Sequence, residues 1–594
     1  MTAPQAERLS ALRASLAGAG VDGFVLQRTD QHGSEYLPAS EQRLAWLTGF
    51  TGSAGEAVVL PEAAAVFTDG RYTVQIGIEV DGDLFERCNS GSCPPGKWLG
   101  RRLAPGLRLG YDAKLIRKPE RDRLERLCRG RGALLVALAE NPVDRIWTDR
   151  PAPPLAPVTA HEESRAGESS AAKRRRMGEA VAGHGADWLL VTAADSIAWL
   201  LNIRGGDVPY NPLCLSHLLL KADGTARWFV DSRKIEGGPG LGDEVAIEGY
   251  GALDAALADL GRAGARVLID PAMNAAGFAD IVAEAGGRVV EAQDPIPLAK
   301  ARKNPVEIEG ALDAQRRDGA AVVRFLAWLD GLGRDHAIDE AAAAHRLEAE
   351  RARDPLYRGP SFETISAHGP NAALPHYRVT PETNRRLAAD SVYLVDSGGQ
   401  YPDGTTDITR TVALGRPTAE LQERFTLVLK GHIALAEAIF PEGTSGGQLD
   451  TLARLALWRR GLDFDHGTGH GIGSYLCVHE GPQRIAKRGG DVPLETGMIV
   501  SNEPGYYEPG AYGIRTENLL LVEEAPAAEG GNRPLLHFRT LTLAPIDRRL
   551  IDPHRLSEPE RRWLDTYHAR VRAELAPLLD DASRAWLERA TAPL

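Results

Sequence analysis

"DFDHGTGHGIGSYLCVHEGP" (463–482) sets His466, His470 and His479 among five glycines, and its reading decides the fold. Two chemistries use glycine in this way. A phosphate cradle of the G-x-G-x-x-G kind would place the segment between a strand and a helix of a dinucleotide-binding sheet. A metal centre would instead take the histidines as ligands and would need carboxylates from elsewhere in the chain. A third reading has the histidines simply facing water. The preceding stretch, "GGQLDTLARLALWRRGL" (446–462), carries apolar residues at helical spacing. A cradle needs a strand there, inside a βαβ unit of about 30 residues, so the phosphate reading fails.

Four carboxylates lie in strand-like, apolar surroundings: Asp396 in "YLVDSGG", Asp407 in "GTTDITRTV", Glu503 in "IVSNEPGYY" and Glu517 in "GIRTENLLLV". An unpaired buried carboxylate costs several kcal/mol. Four of them in one place need positive charge between them, which two divalent ions roughly 3.5–4 Å apart would supply. Taken singly, each fits a turn, an edge or a salt bridge. Arg410 and Arg515, flanking Asp407 and Glu517, could each neutralise one without a metal. The ordered pattern favours the metal: two Asp 11 apart, then the histidine loop, then two Glu 14 apart.

The 594 residues are too many for one core and predict two to four domains. Apolar residues make up 43% and charged ones 25%, ordinary for a folded chain. A net charge of −12 argues against nucleic-acid or anionic-membrane partners. No apolar run reaches the length of a membrane span, and the N-terminus lacks the layout of a signal peptide. Five scattered cysteines fit a reducing cytoplasm, with Cys477 read as a small buried residue.

Composition shifts at 143–172, where "PVDRIWTDRPAPPLAP" keeps the chain extended and places a domain boundary near residue 155. "KRRR" (173–176) reads as a solvated helix face. On either side of the linker, "VDGFVLQRTD", "RLAWLTGFTGS" and "AAVFTDGRY" parallel "ADWLLVTAAD", "SIAWLLNIRGGD" and "ARWFVDSRK". An α/β unit is therefore expected twice. A third region opens at Pro305, with Glu307 and Glu309 suited to a helix start. It carries two helix pairs (298–333 with 337–353, and 418–440 with 446–462) and intervening strands. That pattern predicts a sheet covered by helices on one face, with approximate two-fold symmetry. Two amphipathic helices end the chain.

The ordered set Asp396, Asp407, His470, Glu503 and Glu517 resembles the five-ligand dinuclear site of the pita-bread metallopeptidases. The motifs "VDSGGQYPDGTTDITRTV", "HGTGHGIG", "NEPGYY" and "GIRTEN" match aminopeptidase P and prolidase better than methionine aminopeptidase. "LTGFTGSAG", "FTDGRY", "IAWLLNIRGGDVPYNPL" and "ARKNPVEIEG" resemble the long, three-domain cytosolic Xaa-Pro aminopeptidases over almost the whole chain. The resemblance implies an α/β (α+β) fold: a creatinase-like domain at 1–154, a second related domain at 155–303, and a pita-bread catalytic domain with a helical extension at 304–594. It implies two divalent ions per chain that activate a water, bridged by Asp407 and Glu517. Asp396 would be terminal on one ion, with His470 and Glu503 on the other. Oxygen-rich ligation with one imidazole favours Mn2+.

The same resemblance assigns His376, His479 and His466 to catalysis and substrate binding. The first two would face the scissile carbonyl and the third would shape the proline pocket, while Arg71 would contact substrate. The implied activity is release of the N-terminal residue from peptides with proline second, by a cytoplasmic homodimer. A prolidase restricted to Xaa-Pro dipeptides is the alternative, and a non-catalytic peptide- or histone-binding relative is a third. A relative that had lost its metals would show gaps among the five ligand positions, and all five are filled.

Overall fold

Strands such as "GFVLQ" (Gly23–Gln27) and "WLLV" (Trp188–Val191) are apolar almost throughout and lie buried, as expected of central strands covered on both faces. Each sits near the middle of a six-stranded mixed sheet. The first sheet runs Glu86–Asn89, Ala64–Thr68, Glu56–Val59, Gly23–Gln27, Arg108–Asp112, Leu134–Leu138. The second runs Val245–Gly249, Ala226–Val230, His217–Lys221, Trp188–Val191, Arg266–Ile269, Arg288–Glu291. Order and strand directions agree at every position. Phe67 and Phe229 fall on equivalent strands, and Trp46 and Trp199 on equivalent helices. The repeat read from the sequence is a repeat of topology.

In this computed structural model, which describes residues 4–332, 336–389, 391–527 and 529–594, the chain forms two compact units. One holds Met1–His161 and Glu168–Ile296. The other holds Glu162–Gly167 and Pro297–Leu594. The basic run 173–176 departs from expectation. Only Arg175 and Arg176 are exposed. The Lys173 ammonium donates to the Trp199 carbonyl (3.1 Å) and to Asn202 Oδ1 (2.8 Å), capping the helix Ala194–Leu201. Arg174 is buried against the Gly224 carbonyl. Helix-end carbonyls need donors, and that need draws Lys173 inward, while the carbonyl of Gly224, in the turn between two strands, draws in Arg174.

In the C-terminal unit Asn304 caps the helix Pro305–Asp330, with Glu307 returning a hydrogen bond to the cap. Glu340–Arg351 pairs with it, and Ala419–Ala436 pairs with Gly446–Trp458. The strands Ile365–His368, Val392–Ser397 and Ile408–Ala413 form one antiparallel sheet. A second, six-stranded sheet contains Gly469–Gly471, Glu480–Ile485, Ile499–Asn502 and Asn518–Glu524. The closing helices Glu558–Leu575 and Asp581–Ala590 contribute Leu564, Val571, Leu575 and Leu587 to the core beside Phe425 and Ile433. Among the described residues no helix is long and apolar enough to cross a membrane. Cys477 is half-buried rather than buried.

Candidate metal centre

Strand register assembles the site. Asp396 pairs with Thr409, two residues beyond Asp407. Asn502 pairs with Asn518, which sets Glu503 and Glu517 side by side just past the paired strands. Thr409 links the two sheets through a 2.7 Å hydrogen bond to Glu517 Oε2. The Gly-rich segment enters as a sheet strand, Gly469–Gly471, whose register against Glu480–Ile485 slips between His470 and Gly471. Such irregularities re-aim side chains next to active sites. The glycines serve strand packing: a Cβ at Gly469 would meet the Ser501 carbonyl at 2.0 Å, and one at Gly471 the Glu480 carbonyl at 2.5 Å.

Asp407, His470 and Glu517 each offer a ligand atom, all within 4.8 Å of one another. His470 Nδ1 lies 3.0 Å from the Gly471 carbonyl, which fixes the proton there. Nε2 then faces Asp407 Oδ2 at 3.5 Å and Glu503 Oε1 at 3.6 Å. Burial pushes Asp407 well above the usual carboxylate range, and Glu517, Asp396 and Glu503 add repulsion. Burial, then Asp396 and Glu503, does the same to Glu517. Burial lifts Glu503 to about 7 although Arg515 opposes it. Asp396 Oδ1 is buried without a hydrogen-bond donor. A buried acceptor with no donor, and an imidazole nitrogen aimed at two carboxylates, fit a cationic occupant of this oxygen-rich set.

The two arginines behave differently from each other. Arg515 donates to Asp396 Oδ2 (2.6 Å) and to the Pro375 carbonyl (3.2 Å), and also bonds the Tyr507 hydroxyl. Arg410 touches none of the four carboxylates. It donates to the carbonyls of Thr409, Glu517, Ala544 and Pro545, stitching strands together behind the site. One arginine for four acids is too little to keep all four ionised, and the raised values of Asp407, Glu503 and Glu517 follow from that.

The histidines divide in the same way. His479 stands beside His470, ring centroids 4.3 Å apart and nearly perpendicular, and is exposed to solvent. His466 Nε2 shares a 2.8 Å hydrogen bond with the Tyr507 hydroxyl, and its Nδ1 lies 3.9 Å from Glu503. His376 sits half-buried in a turn after Gly369–Ala373, directly following the carbonyl that Arg515 holds. Arg71 belongs to the N-terminal unit, where it pairs with Asp69 at 2.7 Å.

The sequence profile described as Metallopeptidase family M24 matches residues 309–524, and the C-terminal region of peptidase M24 matches 534–594. Two Creatinase/Prolidase N-terminal domain profiles match 8–143 and 149–307. A protein of Laccaria bicolor described as a probable Xaa-Pro aminopeptidase P is 40% identical, covering 99% of this chain and 93% of that protein. This chain belongs to metallopeptidase family M24. A solved X-prolyl aminopeptidase from Caenorhabditis elegans, a cytosolic enzyme with a di-nuclear active site, shares the M24 fold with this chain at a TM-score of 0.93 and 36% identity, over 100% of both chains. The Xaa-Pro dipeptidase of Bacillus anthracis superimposes at a TM-score of 0.52, covering 64% of this chain and 99% of its own. At 24% identity that likeness speaks to fold alone. The architecture is therefore two related N-terminal α/β domains followed by an M24 pita-bread metallopeptidase domain.

Three supports of this M24 site escape a reading of the sequence. Arg454, buried on Gly446–Trp458, pairs with Asp450 at 2.6 Å and donates to the carbonyls of Phe464 (2.6 Å) and His466 (2.9 Å). It fixes the path of the histidine loop. His432 bonds the Asn502 carbonyl and the Asn518 side chain, tying the two strands that present Glu503 and Glu517. Tyr507 joins His466 to Arg515. Only the Asp450–Arg454 spacing of four carried a visible signal.

Proposed function

We propose that the chain is a metal-dependent aminopeptidase that releases the N-terminal residue from peptides with proline in the second position. The observation that carries this reading is the convergence of Asp396, Asp407, His470, Glu503 and Glu517 on one buried, electron-rich centre. Whole-length likeness to a solved X-prolyl aminopeptidase supports it. The five residues Asp396, Asp407, His470, Glu503 and Glu517 would hold two divalent ions. Bound there, such ions supply Lewis acidity and draw the pKa of a water toward neutrality. The hard, oxygen-rich set favours Mn2+.

The chain's own groups do the rest. His479 and His376 donate hydrogen bonds to the carbonyl oxygen of the scissile bond, which gains negative charge as the bond is attacked. An Xaa-Pro bond is a tertiary amide with no N–H to grip, so recognition falls on the proline ring, and His466, braced by Tyr507, shapes that pocket. Asp396 attracts the free α-amine. A substrate contact for Arg71 rests on the sequence resemblance alone. The division into 1–154, 155–303 and 304–594, a cytoplasmic location and a homodimer belong to the same reading.

The test is hydrolysis of an Xaa-Pro-Xaa peptide with and without chelator, beside an Xaa-Pro dipeptide. Chelator-sensitive release of the first residue from the longer peptide is expected. Cleavage confined to the dipeptide makes the chain a prolidase, and no cleavage of either by protein carrying two ions removes the enzymatic reading.

A further inference from the structure

We propose that Glu340 is a positioning residue for the reaction: its carboxylate sets the course of the 369–385 loop and, through Tyr377, the placement of His376. Glu340 opens the helix Glu340–Arg351 and is fully buried. Its Oε1 accepts from the backbone N–H of His368 (2.6 Å) and from Asn371 Nδ2 (3.0 Å). Its Oε2 accepts from Asn371 Nδ2 (3.0 Å), the Tyr377 hydroxyl (2.9 Å) and the backbone N–H of Arg385 (2.9 Å). These donors are neutral, and they fall at the start, the middle and the end of one loop.

A buried anion is costly, and it is tolerated when several preorganised donors and a helix N-terminus share its charge. Glu340 has both. The loop's other anchors lie on the metal-centre side. The Pro375 carbonyl accepts from Arg515, which also holds Asp396. The strand Tyr512–Arg515 passes so close that a Cβ at Gly513 would stand 1.7 Å from the Ala372 carbonyl. His376 thus lies between Pro375, fastened to the metal-ligand network, and Tyr377, fastened to Glu340. A loop held only on the metal-centre side, at Ala372 and Pro375, could pivot about its middle. Glu340 removes that freedom.

Glutamine at 340 keeps the shape and breaks the chemistry. The backbone N–H of His368 faces one oxygen and that of Arg385 the other, and neither can accept, so the amide must point its NH2 at an N–H in either orientation. The inference rests on the role of His376 argued above, and the experiment separates the two. Full-length, Mn2+-loaded protein is assayed on an Xaa-Pro-Xaa peptide as wild type, Glu340→Gln, His376→Ala and the double variant, with metal content measured for each. Displacing a reacting group by about 1 Å costs up to ~10²-fold in rate. Glu340→Gln should lower kcat about 10- to 100-fold, with metal content unchanged and KM within about threefold. The double variant should be no slower than His376→Ala, because Glu340 acts through that histidine. Losses that multiply, or an unchanged kcat in Glu340→Gln, overturn the proposal. Tyr377→Phe deletes a single hydroxyl and should show a smaller loss, again absent in the His376→Ala background, so the question stays answerable if Glu340→Gln does not fold. If wild-type protein cleaves no Xaa-Pro peptide, the enzymatic reading fails on its own. Amide exchange then decides the positioning claim: faster exchange confined to 369–385 in the Gln variant supports it, and unchanged exchange there overturns it.

Discussion

His470 and His479 are ring neighbours, yet their loss should show in different measurements. His470→Ala removes the imidazole aimed at Asp407 and Glu503, so metal content should fall along with activity. His479→Ala should leave metal content near two per chain and lower kcat by about 10²–10³, the cost of one oxyanion-type donor, with a smaller change in KM. Glu517→Ala should abolish both metal binding and turnover while the circular dichroism of the fold persists. Metal analysis beside steady-state kinetics separates the three. The proposed ligand residues stood out in the sequence because a carboxylate inside an apolar strand demands compensation. Arg410 and Arg515 were not separable there: both flank a carboxylate in sequence, and only the folded chain shows that Arg515 reaches one of the four carboxylates while Arg410 turns to the carbonyls behind them.

Between residues and folds stand the helices that hold the strands in place. Arg454 is buried on Gly446–Trp458 and paired with Asp450. Arg454→Met should cost about 3–5 kcal/mol in urea unfolding, because Asp450 is left as an uncompensated buried charge. Adding Asp450→Asn should return part of that loss. The closing helix Glu558–Leu575 supplies a pH response. His568 is buried, and its Nε2 accepts from the Ile546 N–H. Burial, with Arg410 nearby, holds its pKa down to about 3. Between pH 6.5 and 3 the unfolded chain therefore binds more protons than the folded one, and stability falls as pH drops through that window. His432, also held to about 3, acts in the same direction. Each histidine contributes at most about 1.4 kcal/mol per pH unit. His568→Leu should shrink the difference between unfolding midpoints at pH 7 and pH 5. Helix spacing announced these elements, but not the polar hubs on them. Glu340 in "AIDEAAAAHRLEAERAR" looks like a surface residue, since its partners lie 28 to 45 residues away.

For the molecule as a whole, the metal centre is a store of repulsion that a cation offsets. Glu503, lifted to about 7 by burial, binds a proton in the folded, metal-free chain that the unfolded chain has already released. Between its ordinary value of 4.5 and about 7, stability of that form falls as pH rises. The drop in Tm on chelation should therefore be larger at pH 8 than at pH 6, a difference that calorimetry reads directly. The fold was legible at this scale through duplicated strands and ordered motifs. The placement of Glu162–Gly167 with the C-terminal unit was not, because it rests on contacts with residues far along the chain.

The six residues Glu162–Gly167 are claimed by the C-terminal unit although more than a hundred residues separate them from the rest of it. Asn304, which starts the first long helix of that unit, donates to the Ala166 carbonyl 138 positions earlier. On a ribosome adding ~5–20 residues per second, this short segment is made roughly 7 to 28 seconds before its partner. The whole second N-terminal sheet is synthesised in that interval. The catalytic unit is thus begun early, set aside and completed late, and a nascent chain halted before Asn304 would carry an unmatched piece of it.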